Sequence, residues 1–201
     1  MQATILFSML IFSFSMSISP GPINITILSS SLVYGVKKTL PFISGATIGF
    51  TLLLIVTGFG FSKLLILYPF TFKGLAVVGS VFIGYTGYKI LSSSAQIQIT
   101  HPHSAPKFYH GFLLQWLNPK AWIACASGVT LFSVPDRSAP LIIFISLYFL
   151  VCYGCLLLWG MFGQKLAHIV THPTRIGMLN AIMGGALMIV ALSMLINLLK
   201  G

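Results

Sequence analysis

The chain has 201 residues, of which 57% are hydrophobic and 6% charged. Soluble domains carry about 25% charged residues, so a water-soluble fold with this composition is excluded and an integral membrane protein is expected. Eleven Lys and Arg face a single acid, Asp136. The basic residues sit singly at the ends of apolar runs, which suits headgroup anchors and topology signals and excludes the clustered basic face that nucleic acid requires.

A spanning helix needs about 20 apolar residues. Read in order, the chain offers six such runs. The first covers residues 3–34 and is interrupted by Ser19-Pro20-Gly21-Pro22-Ile23-Asn24. A proline inside a helix removes a donor and clashes with the carbonyl one turn earlier, so a helix, a break and a half-helix are predicted. The first lysine is Lys37 and no cleavage site follows the run, which reads as an uncleaved span. Gly35-Val36-Lys37-Lys38 is the first polar punctuation.

The second run, residues 41–67, contains Gly45 and Gly49 at the G-x-x-x-G spacing that lets helix backbones approach closely. The third, residues 74–91, ends in Gly84-Tyr85-Thr86-Gly87-Tyr88-Lys89, a small-residue face with interfacial anchors. Residues 92–107 are Ser- and Pro-rich and read as a loop dividing the chain into halves. His101, His103 and His110 lack the spacing and companion ligands of a metal site.

The fourth run, residues 108–132, carries the second break, Gln115-Trp116-Leu117-Asn118-Pro119-Lys120. The fifth covers residues 141–169 and the sixth 176–199. Cys125, Cys152 and Cys155 all lie in apolar runs and read as small buried hydrophobes. His168 and His172 can share a helix face, but a helix end at the headgroups explains them equally.

The predicted architecture is therefore an all-α polytopic membrane protein in one domain. Residues 1–91 and 108–201 form two three-helix halves, and the first helix of each is broken by proline. An odd number of spans per half makes the halves an inverted repeat, as in several secondary transporters. With both termini outside, Lys37, Lys38, Lys89, Lys107, Lys165 and Arg175 face the cytoplasm and Lys63, Lys73, Arg137 and Lys200 the exterior, a small positive-inside bias.

Interrupted helices at matching positions of two halves point to a binding site at the membrane midplane. The candidate substrate residues are Ser19, Pro20, Gly21, Pro22, Asn24, Asn118, Pro119 and Lys120. A zwitterionic amino acid needs a positive element for its carboxylate and acceptors for its ammonium. Helix N-termini supply the first and freed carbonyls the second, without any intramembrane acid. Three roles stay open for Lys120: capping the carbonyls freed by Pro119 or snorkelling to the headgroups, pairing with the substrate carboxylate, or exchanging a proton.

At these residues the sequence resembles the LysE/RhtB amino-acid exporters. The resemblance rests on SPGPIN, the Gly-spaced second span, GYTGYKIL and FYHGFLLQWLNPKAW, and runs along the whole chain. Residues 114–135, with LQWLNPK and SGVTLFSVP, are most similar to the cysteine/O-acetylserine exporter branch. The resemblance implies efflux of a small amino acid or derivative from the bacterial cytoplasm through the inner membrane, driven by an ion or proton gradient. In one departure, Gly49 is followed by Phe50 where many members carry an acid. No cofactor or metal is expected. A channel would need a pore lined by polar rings, and a membrane enzyme a convergent acid–base or nucleophile set; neither is visible. Glycine-rich faces suit a homodimer or packing within one chain.

Overall fold

The structure is a computed structural model. It describes residues 3–61, 105–134, 137–169 and 173–200, together with residues 77, 80, 81, 83–85, 87, 88, 91 and 92. Among the described residues outside the third predicted span there are seven helices: α1 (Ala3–Ile18), α2 (Pro22–Tyr34), α3 (Val36–Val56, continued by the π-helical turn Thr57–Phe61), α4 (Phe108–Trp116), α5 (Pro119–Phe132), α6 (Ala139–Ile169) and α7 (Pro173–Lys200). Among the described residues there is no β-strand, only an isolated bridge between Val134 and Arg137. His101, His103, Asp136 and His172 lie outside the described residues.

Polarity runs inside out. Phe7, Leu10, Ile11 and Phe14 on α1, and Leu150, Leu158, Met161 and Phe162 on α6, are exposed, whereas Ser13, Ser17, Asn24, Ser31, Thr47, Gln115 and Asn118 are buried. A lipid solvent favours this arrangement and water opposes it. By length and apolarity, Val36–Gly60 and Ala139–Ala167 can each cross a membrane, and the pair α1–α2, bent by 58° at its break, makes a third candidate.

Both proline breaks fall where the sequence places them. Gly21 and Asn118 are the extended N-cap residues of α2 and α5, and Pro22 and Pro119 each open their helix, where the missing N–H costs nothing and the fixed φ fits. The turn after α2 is tighter than the predicted polar stretch. Gly35 alone makes it, at φ 78° and ψ 160°, its N–H donating to the Ser31 carbonyl at 2.9 Å. Lys37 and Lys38 already lie in the first turn of α3, and Pro41 is inside that helix. The apolar run begins at Pro41, but helix propagation needs backbone bonds, not apolarity, so α3 starts five residues earlier.

Glycines set the helix crossings. α3 packs most extensively on α4. A Cβ on Gly45 would collide with the Phe108 carbonyl oxygen, one on Gly111 with the Phe42 carbonyl oxygen, and one on Gly49 would lie 3.1 Å from Phe112 Cα. Backbone meets backbone there, the use expected of the G-x-x-x-G. On α6, a Cβ on Gly163 would lie 2.5 Å from the Leu28 carbonyl oxygen of α2. Gly87 and Gly184 are reciprocal: a Cβ on either would lie 2.8 or 2.6 Å from the other's carbonyl oxygen. α6 packs along α1, α2 and α3, and its Phe144 and Tyr148 join Phe12, Phe50 and Phe132 in an aromatic cluster, with the Phe50 and Tyr148 rings stacked at 4.4 Å.

Candidate functional site

A helix leaves its last four carbonyls without intrahelical partners, and in lipid each must be satisfied. At the end of α1 every carbonyl from Met16 to Pro20 has a side-chain donor. Ser19 Oγ donates to the Met16 carbonyl at 3.2 Å, Asn24 Nδ2 to Ser17 at 2.9 Å and Trp159 Nε1 to Ile18 at 3.1 Å. Lys120 Nζ donates to the Ser19 carbonyl at 2.7 Å and to Ser19 Oγ at 2.8 Å, and reaches the Pro20 carbonyl at 3.4 Å. The two most distant donors in sequence, Lys120 and Trp159, come from the second half of the chain.

The second break is capped from within. The Asn118 side chain accepts the Lys120 N–H at 3.1 Å, and Asn118 Nδ2 faces Gln115 Oε1 at 3.4 Å. Trp122 Nε1 donates to the Trp116 carbonyl at 2.7 Å. Lys120 therefore does cap carbonyls, but those of the first break rather than those beside Pro119. The N-cap of α2 is Gly21, which has no side chain to cap the helix, so no N-cap side chain offsets the partial positive charge there.

Both breaks open on one cavity of about 40 Å³, space for about three waters. Ser17 and Asn24 line it from the first break, Gln115, Asn118 and Lys120 from the second, and Phe50, Tyr148 and Cys152 from α3 and α6. Ser17 is buried there, with its side chain against those of Tyr148 and Cys152. Of the residues singled out in the sequence, Asn24, Asn118 and Lys120 line the cavity. Ser19, Pro20 and Gly21 lie against the Lys120 side chain; a Cβ on Gly21 would sit 3.2 Å from Lys120 Cδ. Pro22 and Pro119 shape the two helix starts without lining the cavity.

Gln115, Ser17, Tyr148, Cys152 and Trp159 were not singled out as site residues. Gln115 stood inside the quoted motif, and a polar residue in an apolar run is itself a signal. The others carry no local mark; only packing brings them to the breaks. Cys125, Cys152 and Cys155 are free and buried, as expected. Among the described residues no group of three or more His, Cys, Asp or Glu could hold a metal. His110 is used locally, its Nδ1 accepting the Lys107 N–H at 3.1 Å.

The model of the family described as LysE type translocator matches residues 14–198. The chain belongs to this family. Membership makes it an integral membrane translocator and not an enzyme. The cysteine/O-acetylserine efflux protein of Salmonella choleraesuis (strain SC-B67) is 28% identical over 124 residues, covering 61% of this chain and 63% of that relative. The protein of the same name from Escherichia coli O1:K1 / APEC is 28% identical over 143 residues, 69% of this chain and 71% of the relative. The matched stretch is thus just under two thirds of the length of the Salmonella relative. No solved structure matches the chain.

Proposed function

We propose that this LysE type translocator exports a small amino acid or derivative of the cysteine/O-acetylserine kind from the bacterial cytoplasm, by alternating access across the inner membrane. The observation that carries this reading is the convergence of both proline breaks on one cavity. The cavity is lined by an ammonium group, three amide side chains and a hydroxyl, from Lys120, Asn24, Gln115, Asn118 and Ser17. Those groups, with the freed carbonyls and the uncapped start of α2, complement both ends of a zwitterion without a carboxylate. The names of the relatives supply the substrate kind.

Two inverted three-helix halves, residues 1–91 and 108–201, are part of the same reading. Pro22 and Pro119 stand 97 positions apart, and each opens its half-helix after an extended N-cap. Gly87 and Gly184, which approach each other reciprocally, stand 97 positions apart as well. A single offset that relates both the breaks and a crossing between the third spans supports a repeat whose two-fold axis passes between those glycines. The halves differ where chemistry is needed: the position 97 residues before Lys120 is Ile23, so only the second half brings a cation. With both termini outside, the more basic set of loops faces the cytoplasm.

Counterflow tests the reading. Proteoliposomes are loaded with unlabelled cysteine or O-acetylserine and diluted into labelled substrate. A carrier accumulates label transiently; a channel equilibrates it without overshoot. Absence of overshoot with these two and with a panel of other small amino acids would reject the exporter.

A further inference from the structure

We propose that Lys120 is a tethered placeholder for the substrate's own ammonium group. Its Nζ fills an acceptor set made of the Ser19 carbonyl, Ser19 Oγ and the Pro20 carbonyl. An arriving amino acid puts its α-ammonium on those acceptors, and the released Nζ takes the α-carboxylate. The inference rests on the amino-acid reading above and deepens it, because it assigns each end of the zwitterion to named atoms.

Three observations carry it. First, an ammonium offers three N–H donors, and Nζ has three acceptors within 3.4 Å, so the site is shaped for an ammonium as such. Second, those acceptors are neutral dipoles. The sequence contains one acid, Asp136, and among the described residues Nζ donates to carbonyl and hydroxyl oxygens. A half-buried ammonium held without a counter-charge gains when a carboxylate arrives, and replacing it by another ammonium leaves the acceptors equally satisfied. Third, the cavity beside Lys120, at about 40 Å³, has room for about three waters, less than an amino acid needs, so part of its lining has to move for substrate to enter. Lys120 is half-buried, and its long stem is the mobile part of the lining.

The exchange keeps the net charge constant. One ammonium is held before the substrate binds. Two ammonium groups and one carboxylate are held after, so the net charge is +1 in both states. An N-acylated amino acid or a simple carboxylate has no ammonium to put on the acceptors and so cannot release Lys120, which makes the free amine a condition for binding.

The test uses purified protein in detergent, wild type and Lys120→Ala, with thermal unfolding as the readout. The probes are methylammonium, tetramethylammonium, cysteine and cysteamine, the last being cysteine without its carboxylate. In the variant, methylammonium is expected to raise the melting temperature saturably and tetramethylammonium, which has no N–H, to leave it unchanged; wild type responds to neither. Cysteine is expected to stabilise wild type at concentrations at least tenfold below cysteamine, and the variant to lose that preference. A lysine that only caps carbonyls predicts a destabilised variant with the preference intact, which would overturn the proposal. So would an equal methylammonium response in both proteins or in neither. If Lys120→Ala folds only when expressed and purified with methylammonium, the subsite is upheld; if methylammonium does not recover it, the proposal fails. Methylammonium stabilising the variant alone, while no amino acid stabilises the wild type, would uphold the ammonium subsite and sink the amino-acid exporter reading instead.

Discussion

Replacing Gly45 with alanine tests the tightest crossing in the fold. The new Cβ would collide with the Phe108 carbonyl oxygen and lie 2.8 Å from its carbonyl carbon and 3.1 Å from its Cα, against about 3.5–4.0 Å for an unstrained carbon–carbon contact. All three atoms are backbone, so no rotamer relieves the clash, and α3 and α4 must separate by roughly 1 Å. A gap of that size forfeits about a quarter to a half of the dispersion energy of each contact it opens, including the reciprocal one at Gly111. Overpacking of this kind costs about 1–3 kcal/mol, and the upper end applies because backbone cannot yield. Helix propensity returns about 1 kcal/mol for Gly→Ala. The net expectation is a loss of about 2 kcal/mol. Gly154 on α6 provides the control, since nothing lies within 4 Å of its added Cβ, and its alanine variant should gain up to about 1 kcal/mol. Unfolding of both variants in detergent measures the difference. Gly45→Ala as stable as Gly154→Ala would refute the backbone-on-backbone crossing.

Other expectations follow from the break and its turn. Trp159→Phe leaves the Ile18 carbonyl without its donor and should cost about 1–3 kcal/mol, read by the same unfolding assay. Asn24→Leu removes the donor to Ser17 and a cavity amide together. It should lower stability by a similar amount and abolish counterflow, whereas a structural role alone would leave transport per folded molecule unchanged. Gly35→Ala forces a side chain onto φ 78° and ψ 160°, a region essentially restricted to glycine, and should cost about 1–3 kcal/mol with the substrate preference of the remaining folded protein unaltered.

The parts of this molecule that are legible in sequence are those with a local cause. Pro22 and Pro119 remove N–H groups wherever they stand, so both breaks could be placed to the residue. Gly45 and Gly49 announced a close crossing, although not that its partner would be α4. The start of α3 was hidden because Val36 to Leu40 is too polar to look like a span but is well able to form a helical turn. The site was legible only from its own side. Asn24, Asn118 and Lys120 stand at the breaks, but the acceptors of Lys120 lie 101 and 100 residues away, and nothing around Asn118 announces them. Trp159 and Tyr148 are aromatic residues in an apolar helix, indistinguishable from core until packing aims one indole N–H at Ile18 and puts one ring at the cavity wall. The difference between a self-capped second break and a first break capped from the other half is likewise a property of the assembled fold.

The central claim is that two breaks make one substrate site, and thiol protection tests it most directly. In a transport-competent chain with Cys125, Cys152 and Cys155 replaced by alanine, single cysteines are placed at Ile23 and, separately, at Ala121, apolar residues that line the cavity from the first and the second break. Their alkylation is followed at increasing concentrations of the amino acid that gives counterflow. The account predicts that substrate slows labelling at both positions and that half-protection falls at the same concentration for each. Protection at one break but not the other, or at neither, would contradict it.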